Sequence, residues 1–184
     1  MPSSLAHQQP VVFLDIDDVL CVHRTLNTRE VLAALAGDET ADANQVWQQI
    51  FHVAAVENLR QLHTEFEPAY VISSSWTLEL TKAQLCGTFK KTGLGFVADG
   101  LHEHWCTPRD DESYRLVEID AWLDTHTLLK PVPFVVLDDV VSGLSLSYSH
   151  LEANTVLCEA GAGFLLVQLR QAQAILRSQL PKLR

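Results

Sequence analysis

The sequence predicts an α/β fold, a Rossmann-like three-layer α/β/α sandwich on a mainly parallel sheet. Val11-Val12-Phe13-Leu14, Ala69-Tyr70-Val71-Ile72 and Pro133-Phe134-Val135-Val136-Leu137 are continuous apolar runs without polar alternation, the pattern of strands covered on both faces. Stretches of helical periodicity separate them. Each run also ends in side chains capable of chemistry: Asp15-Ile16-Asp17-Asp18, Ser73-Ser74-Ser75 and Asp138-Asp139. In open α/β sheets, ligands bind beyond the carboxyl ends of the strands.

Taken in order, Met1 to Pro10 is polar, lacks the basic-then-apolar pattern of a signal peptide, and reads as a flexible arm before a single domain spanning 11–184. At the end of the first strand, Asp15 and Asp17 point the same way, about 7 Å apart at about 3.3 Å per residue. Carboxylates so placed repel each other unless a cation or a shared proton relieves them. The plain alternative is an acidic turn, where Asp is common. Cys21 to Asn44 is a polar connection carrying His23, Arg24 and Arg29, in which Glu30 to Ala36 suits a short helix ended by Gly37. Ala55, Leu59, Leu62 and Phe66 form one apolar face of a helix from about Gln45 to Phe66. After the second strand, the Ser73 hydroxyl can donate to a phosphoryl oxygen, with Ser74 beside it as a second substrate-binding candidate. Ser74 or Ser75 also suits a helix N-cap.

Leu78, Leu85 and Phe89 mark a helix from about Thr77 to Lys91. Gly93 to Glu112 reads as loop. It includes His102-Glu103-His104-Trp105-Cys106, whose spacing matches no closed tetrahedral zinc site. Asp110-Asp111-Glu112 suits the positive start of a helix burying Leu116, Ile119 and Leu123. Arg115 falls in the first turn, where a cation is disfavoured unless an anion is near. A surface pair with Asp111 or Glu112 would explain it. Asn154 to Cys158 is a further strand, and Gly161-Ala162-Gly163 leads into a helix with Leu165, Leu169, Ala172, Leu176 and Leu180 on one face. Position 166 is Leu, so the glycines are no dinucleotide fingerprint.

With 184 residues, 47% hydrophobic and 20% charged, the chain fits one globular domain. No apolar run approaches the roughly 18 residues of a bilayer span. The four cysteines form no C-x-x-C pair and read as reduced thiols of a cytoplasmic protein. A net charge of −10 repels polyanions and disfavours nonspecific nucleic-acid binding, while leaving room for a local basic pocket.

A hydrophobic strand followed by Asp15-x-Asp17, a strand ending in Ser73, and a strand ending in Asp138-Asp139 together resemble the haloacid dehalogenase (HAD) superfamily. Phe13-Leu14-Asp15-Ile16-Asp17, Ser73-Ser74-Ser75-Trp76, Thr107-Pro108, Arg115 with Glu118-Ile119 and Trp122-Leu123, and Leu137-Asp138-Asp139 resemble one branch of it. That branch is the HAD domain of Swiss-army-knife RNA repair proteins and their stand-alone relatives. Two departures stand out: Asp18 replaces the usual Gly after Asp-x-Asp, and the basic third motif is assigned to Arg115 by position, with Lys82, Arg109 and Lys130 as rivals.

The resemblance implies a capless or minimally capped phosphatase, with Cys21 to Asn44 and Gly93 to Glu112 available as flaps. It implies Asp15 as nucleophile, forming an aspartyl-phosphate, and Asp17 as the acid that protonates the leaving oxygen. Ser73, Ser74 and Arg115 would hold the phosphoryl group. Mg²⁺ would be bound by Asp15, the backbone carbonyl of Asp17 and Asp138, with Asp139 behind them or as an alternate ligand. The substrate would be phosphorylated, either a small molecule or a nucleic-acid end. Dehalogenases lack the second Asp because a halide needs no proton, so phosphatase is the preferred reading. Rivals are a noncatalytic HAD-like module, with Asp18 crowding the site, and a receiver-type phosphoacceptor, ranked last because the middle strand ends in serine.

Overall fold

The computed structural model describes residues 9–22, 50–109, 113–127 and 131–180. The expected arm before residue 9, the short helix at 30–36, the first flap and Lys130 therefore lie outside the described residues. The three apolar runs form β1 (Val11–Leu14), β2 (Ala69–Ile72) and β4 (Phe134–Asp139). With β3 (Leu101–Cys106) and β5 (Thr155–Cys158) they make a sheet ordered β3-β2-β1-β4-β5, every pairing parallel.

Six helices cover it among the described residues: α1 (Val53–Phe66), α2 (Trp76–Glu79), α3 (Lys82–Lys91), α4 (Gly95–Asp99), α5 (Arg115–Thr127) and α6 (Leu166–Gln179). One face of the sheet, through Val12, Leu14, Ile72 and Leu137, packs on α1, α3 and α6. The other, through Val11, Phe13, Val71 and Val136, packs on Ile119 and Trp122 of α5. There the Trp122 ring meets Phe13 edge-on at 5.2 Å. Strands covered on both sides explain the unbroken apolar runs. No described helix is long and apolar enough to cross a membrane.

Several boundaries differ from the sequence expectation. The helix expected from Gln45 begins at Val53, because Ile50 and Phe51 are bends and His52 is the N-cap. The single helix over 77–91 is two. Leu80 is extended, and the Thr81 side chain restarts the helix through a capping box with Gln84.

The expected loop over 93–112 instead holds α4 and the edge strand β3, so 95–106 is part of the domain and not a flap. Its polar run hid the strand. An edge strand pairs on one side only, and here Glu103 and His104 are exposed. The histidines pack on α5: Trp122 Nε1 donates to the His104 carbonyl at 2.9 Å, and the His104 ring stacks on His126 at 3.9 Å.

The spatially central strand is β1, which ends in Asp15 and not in a serine. A serine-ended middle strand therefore does not count against a receiver domain. The strand order itself still separates the two, since receivers follow the flavodoxin-like order 2-1-3-4-5.

Candidate active site

Register places the site. Leu14 is paired with Ile72 and Leu137, and Ile72 with Cys106. The next residues along, Thr107, Ser73, Asp15 and Asp138, therefore form one row across β3, β2, β1 and β4. The backbone ladder extends to them: Asp15 N–H donates to the Leu137 carbonyl at 2.9 Å, Ser73 N–H to Leu14 at 2.9 Å and Thr107 N–H to Ile72 at 3.1 Å. Because side chains alternate along a strand and Leu14, Ile72 and Leu137 face α1 and α6, the row turns toward α5. Strand order reverses between β1 and β4, the crevice where such sheets bind ligands.

From the start of α5, Arg115 reaches back into this row. Its Nε donates to Asp138 Oδ2 at 2.6 Å, Nη1 to Glu118 Oε2 at 2.8 Å, and Nη2 lies 3.5 Å from Asp15 Oδ1. All four side chains are buried. Arg115 is thus no surface cation, and its expected partners Asp111 and Glu112 lie outside the described residues. Glu118, one helical turn on, also accepts from Ser113 Oγ at 2.7 Å and faces Arg109 Nε at 3.6 Å.

On the β4 side, Asp15, Asp138 and Asp139 offer oxygens within 4.8 Å of one another. The Ser142 hydroxyl lies among them, 2.7 Å from Asp138 Oδ1, 3.3 Å from Asp15 Oδ2 and in contact with Asp139 Oδ2. One hydroxyl has one proton to donate, so it can satisfy only one of the three carboxylate oxygens it touches. Asp139 also caps the turn that follows, Oδ1 accepting from the Val141 and Ser142 amides at 2.6 and 3.1 Å. Glycine at 143 permits the approach. A Cβ there would stand 2.7 Å from Leu157 Cδ2 and 3.1 Å from Asp138 Cβ.

Burial pushes the Asp15 carboxyl well above the usual carboxylate range, the neighbouring Asp138 charge adds to this, and Arg115 opposes it. Burial raises Asp138 as well, against the pull of Arg115 and Ser142. For Arg115, burial works to discharge the guanidinium. Asp138, Asp15 and Glu118 outweigh it and hold its pKa above the ordinary value.

Asp15, Asp138, Asp139 and Glu118 are four carboxylates facing the guanidinium groups of Arg115 and Arg109. Fully ionised, the set carries two uncompensated negative charges. An all-oxygen cluster with that deficit suits a hard divalent cation such as Mg²⁺.

Asp17 stands apart from the three-acid cluster, its Oδ2 accepting from Trp76 Nε1 at 3.1 Å. Its expected ligand atom is the backbone carbonyl, which leaves the carboxylate for other work. Asp18 does not crowd the cluster. Its backbone is left-handed, the conformation that glycine favours, with φ of 53°, and its Oδ1 accepts from the Gly161 amide at 2.7 Å. Asp is among the residues that tolerate this conformation.

On the β2–β3 side, the Ser74 hydroxyl lies near enough to Asp15 to favour its ionised form, while those of Ser73 and Thr107 are buried without a hydrogen-bond partner, as are Nε and Nη1 of Arg109. Such groups are costly unless something pairs with them. Of the rival cations, Lys82 lies where its charge is felt by His102 and Cys106. Glu118 and Thr107 entered the sequence reading only as parts of a motif, and Ser142 not at all. The spacing of Arg115 and Glu118, i and i+3 on one helix, was a legible signal for the first.

Residues 11–169 match the model of the family described as the HAD domain in Swiss Army Knife RNA repair proteins. No curated protein and no solved structure matches the chain.

Proposed function

Because the chain belongs to the family of HAD domains in Swiss Army Knife RNA repair proteins, and so carries a HAD-type hydrolase domain, we propose that it is a Mg²⁺-dependent phosphatase acting through an aspartyl-phosphate on Asp15. The observation that carries this reading is the asymmetric row at the switch point. Asp15 has acids and a metal-sized negative deficit on one side, and unpartnered buried hydroxyls on the other. Nucleophile, cation and oxyanion donors need that order if a phosphoryl group is to sit between them.

In this reading Asp15 attacks phosphorus, and Asp17, its carboxylate steered by Trp76, gives a proton to the leaving oxygen and later takes one from water. Ser73 and Ser74 donate to the phosphoryl oxygens. Arg115, whose near partners among the described residues are carboxylates, positions Asp15 and Asp138. Asp15, Asp138 and Asp139, with the carbonyl of Asp17, would hold Mg²⁺, whose charge offsets that of the transferring group and lets Asp15 stay ionised. The substrate is a phosphoester, either a small molecule or a nucleic-acid end.

The test is phosphate release from phenyl phosphate in the presence of Mg²⁺. Wild type should turn over, and Asp15→Asn should be inactive. Substantial turnover by that variant removes Asp15 as the nucleophile, and a wild type inactive on a broad phosphoester panel removes the phosphatase reading.

A further inference from the structure

Thr107 and Arg109 follow β3, the one strand of the sheet that the sequence does not mark. Thr107 Oγ1 is buried without a partner and points, with Ser73, to the α5 face. Arg109 lies two residues on, and its approach to Glu118 of α5 puts it on the same face. Its Nε is 3.6 Å from Glu118 Oε1, beyond hydrogen-bond range, and its Nη1 is buried with no acceptor. Arg115 is held by three carboxylates, whereas two of the Arg109 nitrogens have no acceptor. A guanidinium with unpaired N–H groups, two residues from an unpaired hydroxyl, supplies the donors that a carboxylate or phosphate needs.

We propose that Thr107 and Arg109 form a second anion subsite, next to Ser73 on the side away from the acids, which makes the preferred substrate a phosphomonoester bearing a second phosphate or carboxylate. This rests on the phosphatase reading of Asp15. Geometry separates the two anions. Strands lie about 4.8 Å apart, so Ser73 is one spacing from Asp15 and Thr107 two, on the order of 10 Å. A phosphorus within about 3–3.5 Å of its nucleophile falls to Ser73, and the next anionic group along falls to Thr107 and Arg109.

The experiment measures kcat/KM for phosphate release from adenosine 3′,5′-bisphosphate and from 3-phosphoglycerate, each divided by that from phenyl phosphate. Wild type should prefer at least one doubly anionic substrate. A preference for the first alone identifies a second phosphate, and for the second alone a carboxylate. Arg109→Ala should reduce the ratio roughly 10- to 100-fold through KM, the size of a lost charge-assisted hydrogen bond. Thr107→Val should reduce it less, and Thr107→Ser should retain it, which separates loss of the hydroxyl from loss of fold. No preference in wild type, or a ratio unchanged in Arg109→Ala with all substrates slowed alike, overturns the subsite; the latter would make Arg109 a ligand of the transferred phosphoryl.

If wild type releases no phosphate at all, calorimetry on the Asp15→Asn protein decides separately. Tighter binding of adenosine 3′,5′-bisphosphate than of adenosine 5′-monophosphate, lost on adding Arg109→Ala, upholds the subsite although the phosphatase reading fails. Equal binding of the two overturns it.

Discussion

Asp15 and Asp17 are two positions apart in sequence and have different surroundings. Asp15 is buried against Asp138 and Arg115, while Asp17 is held by an indole N–H and lies outside the acid cluster. A nucleophile and a proton donor need such different settings. Asp17→Asn is therefore expected to slow an alkyl phosphate by on the order of 10² to 10⁴, and p-nitrophenyl phosphate, whose leaving group needs no proton, far less. Equal damage to both substrates would remove Asp17 as the acid. Arg115 belongs to a different class of residue, because it neutralises buried carboxylates on three sides. Arg115→Ala strands those charges, and the expected loss is about 3–5 kcal/mol of stability, read by urea unfolding. A loss below about 1 kcal/mol, the scale of a surface pair, would mean the network does not hold the site together.

At the scale of elements, the short 3₁₀ helix Ser142–Leu146 after β4 brings a hydroxyl into the acid cluster. Its approach depends on Gly143, since an added Cβ meets Leu157 and Asp138 at 2.7 and 3.1 Å. Gly143→Ala should cost about 1–3 kcal/mol, as overpacking does, and should lower turnover more than stability alone explains by moving Ser142 and Asp138. Unchanged turnover would show that this helix packs beside the site without shaping it. On the far side of the row, β3 matters for where it ends. As the last strand of the sheet it sets Thr107 level with Ser73, and a strand of this polar composition holds that register through its pairing with β2 and through Trp122 on its carbonyl.

For the whole molecule, the buried acids tie stability to pH and to cation. Asp15 has a folded-state pKa raised well above its usual 3.8. The native state therefore holds a proton that the unfolded chain has released. This contribution is complete below the unfolded value and is lost as pH rises through the folded one. Metal-free protein should consequently weaken across that window. A Mg²⁺ held by the ionised acids would compete with that proton, so its stabilisation should grow in the same window. At a hundredfold excess over Kd, binding adds about 2.7 kcal/mol, or roughly 5–10 °C in Tm at roughly 2–4 °C per kcal/mol for a chain of this size. The rise in Tm on adding Mg²⁺ to EDTA-treated protein should be clearly larger near pH 7.5 than near pH 5. An equal rise at both pH values, or none, would count against a divalent cation at these acids.

The sequence by itself determined the central strands and the residue types at their ends, because burial on both faces leaves an apolar run that needs no knowledge of neighbours. It also put Asp15, Ser73 and Asp138 forward, since each directly follows such a run. It could not show β3, whose edge position relaxes the demand for apolar residues, and so it missed what Thr107 and Arg109 face. It named Arg115 as the cation that holds nucleophile and phosphate, but it could not show that Asp138, Glu118 and Asp15 surround it. It raised an alarm over Asp18 that a left-handed backbone and the Gly161 amide answer. Those outcomes depend on strand register and on which loop folds back onto which acid. Contacts of that kind join residues far apart in the chain, and only the tertiary structure decides them.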